Sequence, residues 1–208
     1  MASADDPEKL PETLPVPADD GGARHLEGLR LPALTLSATD GTEVDLAALQ
    51  GRTVVYLYPR TGRPGEAPPE GWDQIPGARG CTAQSCSFRD HLRELRALGV
   101  AHVFGLSTQE SDFQREAAVR LHLPFLILSD AELRFAHALA LPTFEVATMT
   151  LLKRMVLVIE DGVIRKAFYP VFPPDRSAEE VLAWLGAWSA MTGGGMTEGL
   201  NRAMKQIE

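Results

Sequence analysis

The sequence predicts an α/β fold with a central mixed sheet flanked by helices, and three observations carry that prediction. Residues 53–58, Thr53-Val54-Val55-Tyr56-Leu57-Tyr58, form a continuous apolar, β-branched and aromatic run. Such a run reads as a central strand buried on both faces. Helical stretches at 81–98 and 109–122 then alternate with short apolar strands at 103–106 and 125–128. Right-handed crossovers make strands so connected parallel. Finally, Asp161-Gly162 between apolar runs at 155–160 and 163–168 is a strong hairpin signal, which adds antiparallel strands.

Taken in order, residues 1–30 are rich in Pro, Asp, Glu and Gly and read as a flexible N-terminal arm. Residues 34–37 and 44–46 flank Thr39-Asp40-Gly41-Thr42, a hairpin turn. The strand at 53–58 ends at Pro59. Residues 60–80 hold further prolines and glycines and form a long inserted loop, a length that in a compact domain is functional or mobile. From Cys81 to Leu98 there is no Pro or Gly, and Phe88, Leu92, Leu95 and Leu98 give one apolar helix face that stops at Gly99. A short helix follows at 132–139. Ser177-Ala178-Glu179-Glu180 reads as a capping box opening a last core helix through Trp188. Gly193-Gly194-Gly195 is a hinge into a tail, 191–208. One domain, 31–190, is thereby predicted, and its element order is that of a thioredoxin-like fold. In such sheets the helix after a central strand presents its N-terminus at the carboxyl edge, where ligands bind. The loop ending at Gly80 delivers Cys81 to that edge.

Composition narrows the function. A chain of 208 residues, 45% hydrophobic, can bury one substantial core. A net charge of −8 argues against a nucleic-acid partner, and no basic cluster suggests an anionic membrane surface. The acidic, polar N-terminus lacks the apolar stretch of a signal peptide. The longest apolar runs are strand-sized. A cytoplasmic location follows as the default, where a cysteine pair more often means redox chemistry or metal than a structural staple.

The two cysteines, Cys81 and Cys86, lie five apart at the start of the predicted helix. Free N–H groups and the positive dipole end of a first turn favour thiolate over thiol, which makes Cys81 a candidate nucleophile. In an intact helix, residues five apart sit about 140° around the axis and about 7.5 Å along it. Their Cα atoms are then roughly 8–9 Å apart, beyond the ~7 Å a disulfide spans. The two can bond only if the first turn unwinds. The alternative is a buried small hydrophobe at Cys86 and an ordinary surface thiol at Cys81.

These residues resemble a known family. Val54-Val55-Tyr56-Leu57-Tyr58-Pro59, followed by Gly80-Cys81-Thr82-Ala83-Gln84-Ser85-Cys86-Ser87-Phe88-Arg89-Asp90, is similar to the Q-type peroxiredoxins, the bacterioferritin-comigratory group. The resemblance continues in Gly105-Leu106-Ser107, Leu123-Pro124-Phe125 and Leu128-Ser129-Asp130, and in Arg154 ahead of Glu160-Asp161-Gly162, spanning roughly residues 30 to 188. It implies thiol-dependent reduction of hydroperoxides. Cys81 would become a sulfenic acid, Cys86 would condense with it to an intrachain disulfide, and thioredoxin or a similar dithiol protein would reduce that bond. Arg154 matches the family's active-site arginine. No cofactor or metal is implied, and the group suggests a monomer or weak dimer. Two departures stand out. The residue three before Cys81 is Ala78, so the family's Thr or Ser hydroxyl is missing, and seven before it stands Gln74 rather than Pro. Pro59 can keep the family proline's shielding role, and Thr61 or Thr82 can supply the hydroxyl.

Other features carry less. His25, His91, His102, His122 and His137 show no metal-ligand spacing. Ser107-Thr108 has no Gly-rich phosphate loop around it. Asp112, Arg115 and Glu116 read as a solvated face, and Trp184 and Trp188 as packing. Trp72 in the inserted loop reads first as an apolar anchor, and otherwise as a lid or a contact for the reducing partner. Three other functions stay open: a thiol redox sensor that does not turn over, a thioredoxin-like disulfide reductase, and a binding module with incidental cysteines. The four-residue gap between the cysteines argues against the reductase, whose pair is separated by two.

Overall fold

The computed structural model describes Leu10 and residues 13–204, with backbone alone from residue 192 onward. The central strand is β3 (Arg52–Leu57). Its register puts Val54 opposite Val103 of the parallel β4 (Val100–Ser107) and opposite Val158 of the antiparallel β8 (Met155–Glu160). β5 (Ile127–Ser129) continues the parallel set beyond β4. The hairpin β1 (Thr35–Ala38) and β2 (Glu43–Asp45) closes one edge, with Asp40 accepting from the Thr42 N–H and hydroxyl across its turn. β9 (Val163–Phe168) closes the other, giving the order β2-β1-β5-β4-β3-β8-β9. The thioredoxin-like arrangement with a mixed sheet is therefore what the chain adopts.

Alternation along β3 explains its unbroken apolar sequence. Val54, Tyr56 and Tyr58 face one core, with Phe88, Val156 and Val158. Val55 and Leu57 face the other, with Phe104, Leu106 and Met155. Each such fully buried side chain contributes roughly 1.5–3 kcal/mol. The first core is roofed by α1 (Cys81–Asp90), α2 (Leu92–Ala97) and α5 (Ser177–Met204), the second by α4 (Arg134–Ala138) and the segment around Leu26. α3 (Ser111–Arg120) packs beside β5 and ties to it through Gln114, which donates to Leu128 O.

The structure corrects several expectations. The predicted arm is not loose as far as residue 30. Ala23 and Leu26 are buried in the core, and Arg30 bridges to Val163, because the two apolar side chains complete the second face. Residues 1–9, 11 and 12 lie outside the described residues. The single helix over 81–98 is two helices. At His91 the backbone turns to φ −100°, ψ 11°, and the ring Nδ1 lies 2.9 Å from Ser87 O, the carbonyl that its own N–H also uses. Ser177 is not a cap. It is already helical, a 3₁₀ turn (Pro174–Arg176) precedes it, and its hydroxyl accepts from Gln84. The backbone stays helical through Gly193–Gly195, where a hinge was expected.

A hairpin, β6 (Thr143–Val146) and β7 (Met149–Leu152), is absent from the sequence reading. Its turn holds Ala147 at φ 51°, a conformation normally signalled by Gly or Asn, so the turn leaves no mark in the sequence.

Candidate active site

Gly80 makes the approach to α1 possible. Its φ of 102° is left-handed, and a Cβ there would lie 2.3 Å from Pro174 Cγ. The loop therefore turns sharply against the segment ahead of α5 and leaves Cys81 as the first residue of α1. Cys81 is 4% exposed, packed with Tyr56, Tyr58 and Phe88 on one side and lining a cavity on the other. Its Sγ lies 3.5 Å from Ala78 O, to which the thiol donates.

Arg154 stands in the link between β7 and β8, almost fully buried at 3% exposure. Its Nη2 donates to Cys81 Sγ at 3.2 Å and shares its hydrogens with Ala78 O and Arg79 O. Its Nη1 donates to Gln84 Oε1. The guanidinium thus holds a positive charge against the sulfur. Gln84 is itself fully buried, and its Nε2 donates to Ser177 Oγ at 3.2 Å. It is the site residue that the sequence reading missed. Its place three after Cys81, on the same helix face, was the available signal.

The cavity measures about 630 Å³. Thr61, Ala78, Cys81 and Thr82 all line it, so the structure brings both candidate hydroxyls to the thiol's cavity. Thr61 is 1% exposed and its Oγ1 donates to Gln109 Oε1 at 3.2 Å. Pro59 is buried just ahead, outside the cavity lining. Ala78 offers its carbonyl where the family offers a hydroxyl. Trp72 is 7% exposed and packs with Ala78, Val146 and Leu151, its ring centroid 6.4 Å from that of Phe144. It anchors the inserted loop on the β6–β7 hairpin.

Cys86 is buried within the intact α1, and neither Cys81 nor Cys86 is in a disulfide. Among the described residues no group of three or more His, Cys, Asp or Glu could hold a metal, and no helix is long and apolar enough to cross a membrane.

A buried thiol opening a helix at the carboxyl edge of a thioredoxin-like sheet, with a guanidinium on its sulfur, defines a thiol redox protein. The redoxin family model matches residues 26–182. A chloroplastic peroxiredoxin Q from Suaeda salsa is 30% identical over 165 residues, covering 78% of this chain and 69% of that protein. Peroxiredoxin Bcp from Escherichia coli is 30% identical over 159 residues, covering 74% and 91%. Among solved structures, peroxidoxin BcpB from Mycobacterium tuberculosis superposes with a TM-score of 0.62 at 24% identity, over 77% of this chain and 96% of that one. The chain belongs to the redoxin family, in its peroxiredoxin Q/Bcp group.

Proposed function

We propose that this thiol-dependent peroxidase works through Cys81 as the attacking thiolate and Cys86 as the resolving thiol. The observation that carries the assignment is Arg154 Nη2 at 3.2 Å from Cys81 Sγ, at the wall of an open cavity. Sulfur attacks the terminal oxygen of a hydroperoxide, the O–O bond breaks, and the leaving alkoxide or hydroxide takes a proton to become alcohol or water. Negative charge passes from sulfur to the leaving oxygen, and one guanidinium beside the sulfur can accompany it along the whole path. Cys81 is left as a sulfenic acid. After the first turns of α1 unwind, Cys86 attacks it, forms the disulfide and releases water. A dithiol protein of the thioredoxin type then reduces the disulfide by exchange.

Thr82 and Thr61 are the hydroxyls that replace the one missing at position 78, and Pro59 shields the thiolate. The chain acts as a monomer or weak dimer in the cytoplasm, where a dithiol reductant is at hand. The thiols suffice for this chemistry without a cofactor.

The test is a single-turnover stopped-flow mix of reduced protein with hydrogen peroxide, beside Cys81→Ser and Cys86→Ser. The expected result is fast oxidation lost in Cys81→Ser, while Cys86→Ser oxidises to a trapped sulfenic acid without an intrachain disulfide. Wild-type oxidation no faster than that of a free thiol at the same pH would remove Cys81 from this role. A disulfide that forms but is not recycled by a dithiol protein would instead make the chain a sensor.

A further inference from the structure

We infer that Gln109, which stands outside the lining of the thiol's cavity, is a positioning residue for peroxide reduction that acts through Thr61. This deepens the peroxidase reading and rests on it. Thr61 follows the end of β3, where the chain has left the sheet and no neighbouring strand pairs with its backbone. The residue is only 1% exposed, so its N–H and C=O both need partners. One side-chain amide supplies both. Gln109 Oε1 accepts from the Thr61 N–H at 2.8 Å, and Gln109 Nε2 donates to Thr61 O at 3.0 Å. That pair fixes which way round the amide stands, since turning it over would set N–H against N–H and oxygen against oxygen.

The fixed amide in turn decides what the Thr61 hydroxyl can do. Thr61 Oγ1 lies 3.2 Å from the same Gln109 Oε1, and toward an oxygen it can only donate. Its hydrogen is thus committed to Gln109, and its oxygen has lone pairs alone left to offer the cavity that Thr61 and Cys81 both line. Gln109 is itself held. Its N–H donates to Ser107 Oγ at 3.2 Å, and its C=O accepts from Ser129 Oγ at 2.7 Å. Ser107 Oγ also accepts from the buried Gln114 Nε2 at 2.9 Å. A hydroxyl at the start of the inserted loop is thereby tied to the carboxyl ends of β4 and β5, the rigid part of the molecule. The chemistry gives such an acceptor a use. The oxygen that Cys81 attacks carries a hydrogen, which it keeps as the S–O bond forms and the O–O bond breaks. The electron pair of the broken bond leaves with the other oxygen, which takes a proton, so sulfur is oxidised and the peroxide reduced. An acceptor for the retained hydrogen turns the O–O axis into the line of attack. A hydroxyl free to rotate would present a donor for part of the time instead.

The test takes, for each protein, the ratio of the rate constant for Cys81 oxidation by hydrogen peroxide to that for its alkylation by iodoacetamide. Both reactions need the same thiolate, and only the first needs an oriented O–O bond, so a general loss of reactive thiolate cancels from the ratio. The ratio should fall about tenfold in Gln109→Ala, the worth of one hydrogen bond, and by a similar factor in Thr61→Val. It should fall no further in the double variant Thr61→Val/Gln109→Ala, because Gln109 has nothing to orient once the hydroxyl is gone. Gln109→Glu keeps an oxygen for both Thr61 donors and should recover most of the loss. An unchanged ratio in Gln109→Ala, beside a fast wild type, overturns the inference and leaves the peroxidase intact. Losses that multiply in the double variant, or a Gln109→Glu ratio as low as that of Gln109→Ala, overturn it as well, since Gln109 would then act by a route other than the Thr61 hydroxyl. A wild type that peroxide oxidises no faster than a free thiol is failure of the peroxidase reading, and the inference falls with it.

Discussion

Arg154 shows how much a single side chain is asked to do. Its two terminal nitrogens serve one sulfur, two loop carbonyls and the Gln84 amide oxygen, so it closes the loop onto the helix as well as charging the site. Arg154→Gln should slow oxidation of Cys81 by hydrogen peroxide about 10²-fold, the usual cost of removing a donor aimed at developing charge. Removing it also leaves buried carbonyls unpaired, so some of the loss could come from a displaced thiol. Parallel alkylation by iodoacetamide separates the two. That reaction needs the same thiolate but breaks no O–O bond, and it should fall much less. Equal losses in both reactions would reduce Arg154 to a group that merely holds Cys81. Very little of this was open to sequence reasoning without the family resemblance. Cys81 and Cys86 stand out because their chemistry and helical context lie within ten residues. Arg154 by itself reads as a strand-end charge, because the acceptors that bury it come from positions seventy or more residues away.

The helix that carries both thiols must hold together for peroxide attack and come apart for disulfide formation, so its neighbours set the balance. Beside Arg154 and the bond from Arg89 Nη1 to Leu121 O, three further ties fasten α1. Tyr56 donates to Ser85 Oγ, which donates to Cys81 O; Gln84 Nε2 donates to Ser177 Oγ; and the Ala178 N–H donates to Ser87 Oγ. The last two fasten it to the start of α5. Ser177→Ala leaves the buried Gln84 amide short of a partner only while α1 is folded, and so favours the unwound state. We expect disulfide closure to accelerate roughly fivefold, the equivalent of about 1 kcal/mol, with less sulfinic acid formed at high peroxide. The slow phase of tryptophan fluorescence after oxidation and mass spectrometry of the products measure the two. An unchanged slow phase would mean that α1 unwinds without parting from α5. At this scale the sequence was legible where periodicity or turn chemistry was explicit, as in β3 and in the Asp161-Gly162 hairpin. It was silent where the signal was tertiary. Ser177 has the letters of a capping box, but the preceding Pro174–Arg176 turn supplies the helix start and frees its hydroxyl for Gln84. The β6–β7 hairpin turns at Ala147, and what holds it is Trp72 packing from the inserted loop.

Across the whole molecule, the segment expected to be a loose arm is part of the frame around the site. Asp20 reaches the β7–β8 link through Lys153, the neighbour of Arg154, and accepts from the Tyr169 hydroxyl at 2.7 Å beyond β9. Composition hid this, since Pro-, Asp- and Gly-rich stretches look unstructured, while the two buried apolar side chains of Ala23 and Leu26 help to dock this one. The tie makes a pH-dependent prediction. Asp20's carboxyl is held well below its ordinary value of 3.8, first by the hydrogen bond from Lys153 and then by those from Tyr169 and the Gly22 N–H. A group whose pKa is depressed by folding stabilises the fold in full above its unfolded value, and the contribution fades as pH falls toward the folded one. Asp20→Asn should therefore lower the melting temperature slightly at neutral pH, slightly because the carboxylate is exposed and its ion pair screened. The gap from wild type should be flat down to about pH 4 and close below it as the wild-type carboxylate loses its advantage. Melting curves of the two proteins across that range, at fixed low salt, measure it. A gap that persists unchanged into strong acid would mean that the carboxylate's charge plays no part in docking the segment. A gap that widens in acid would reverse the sign that the Lys153 and Tyr169 contacts require.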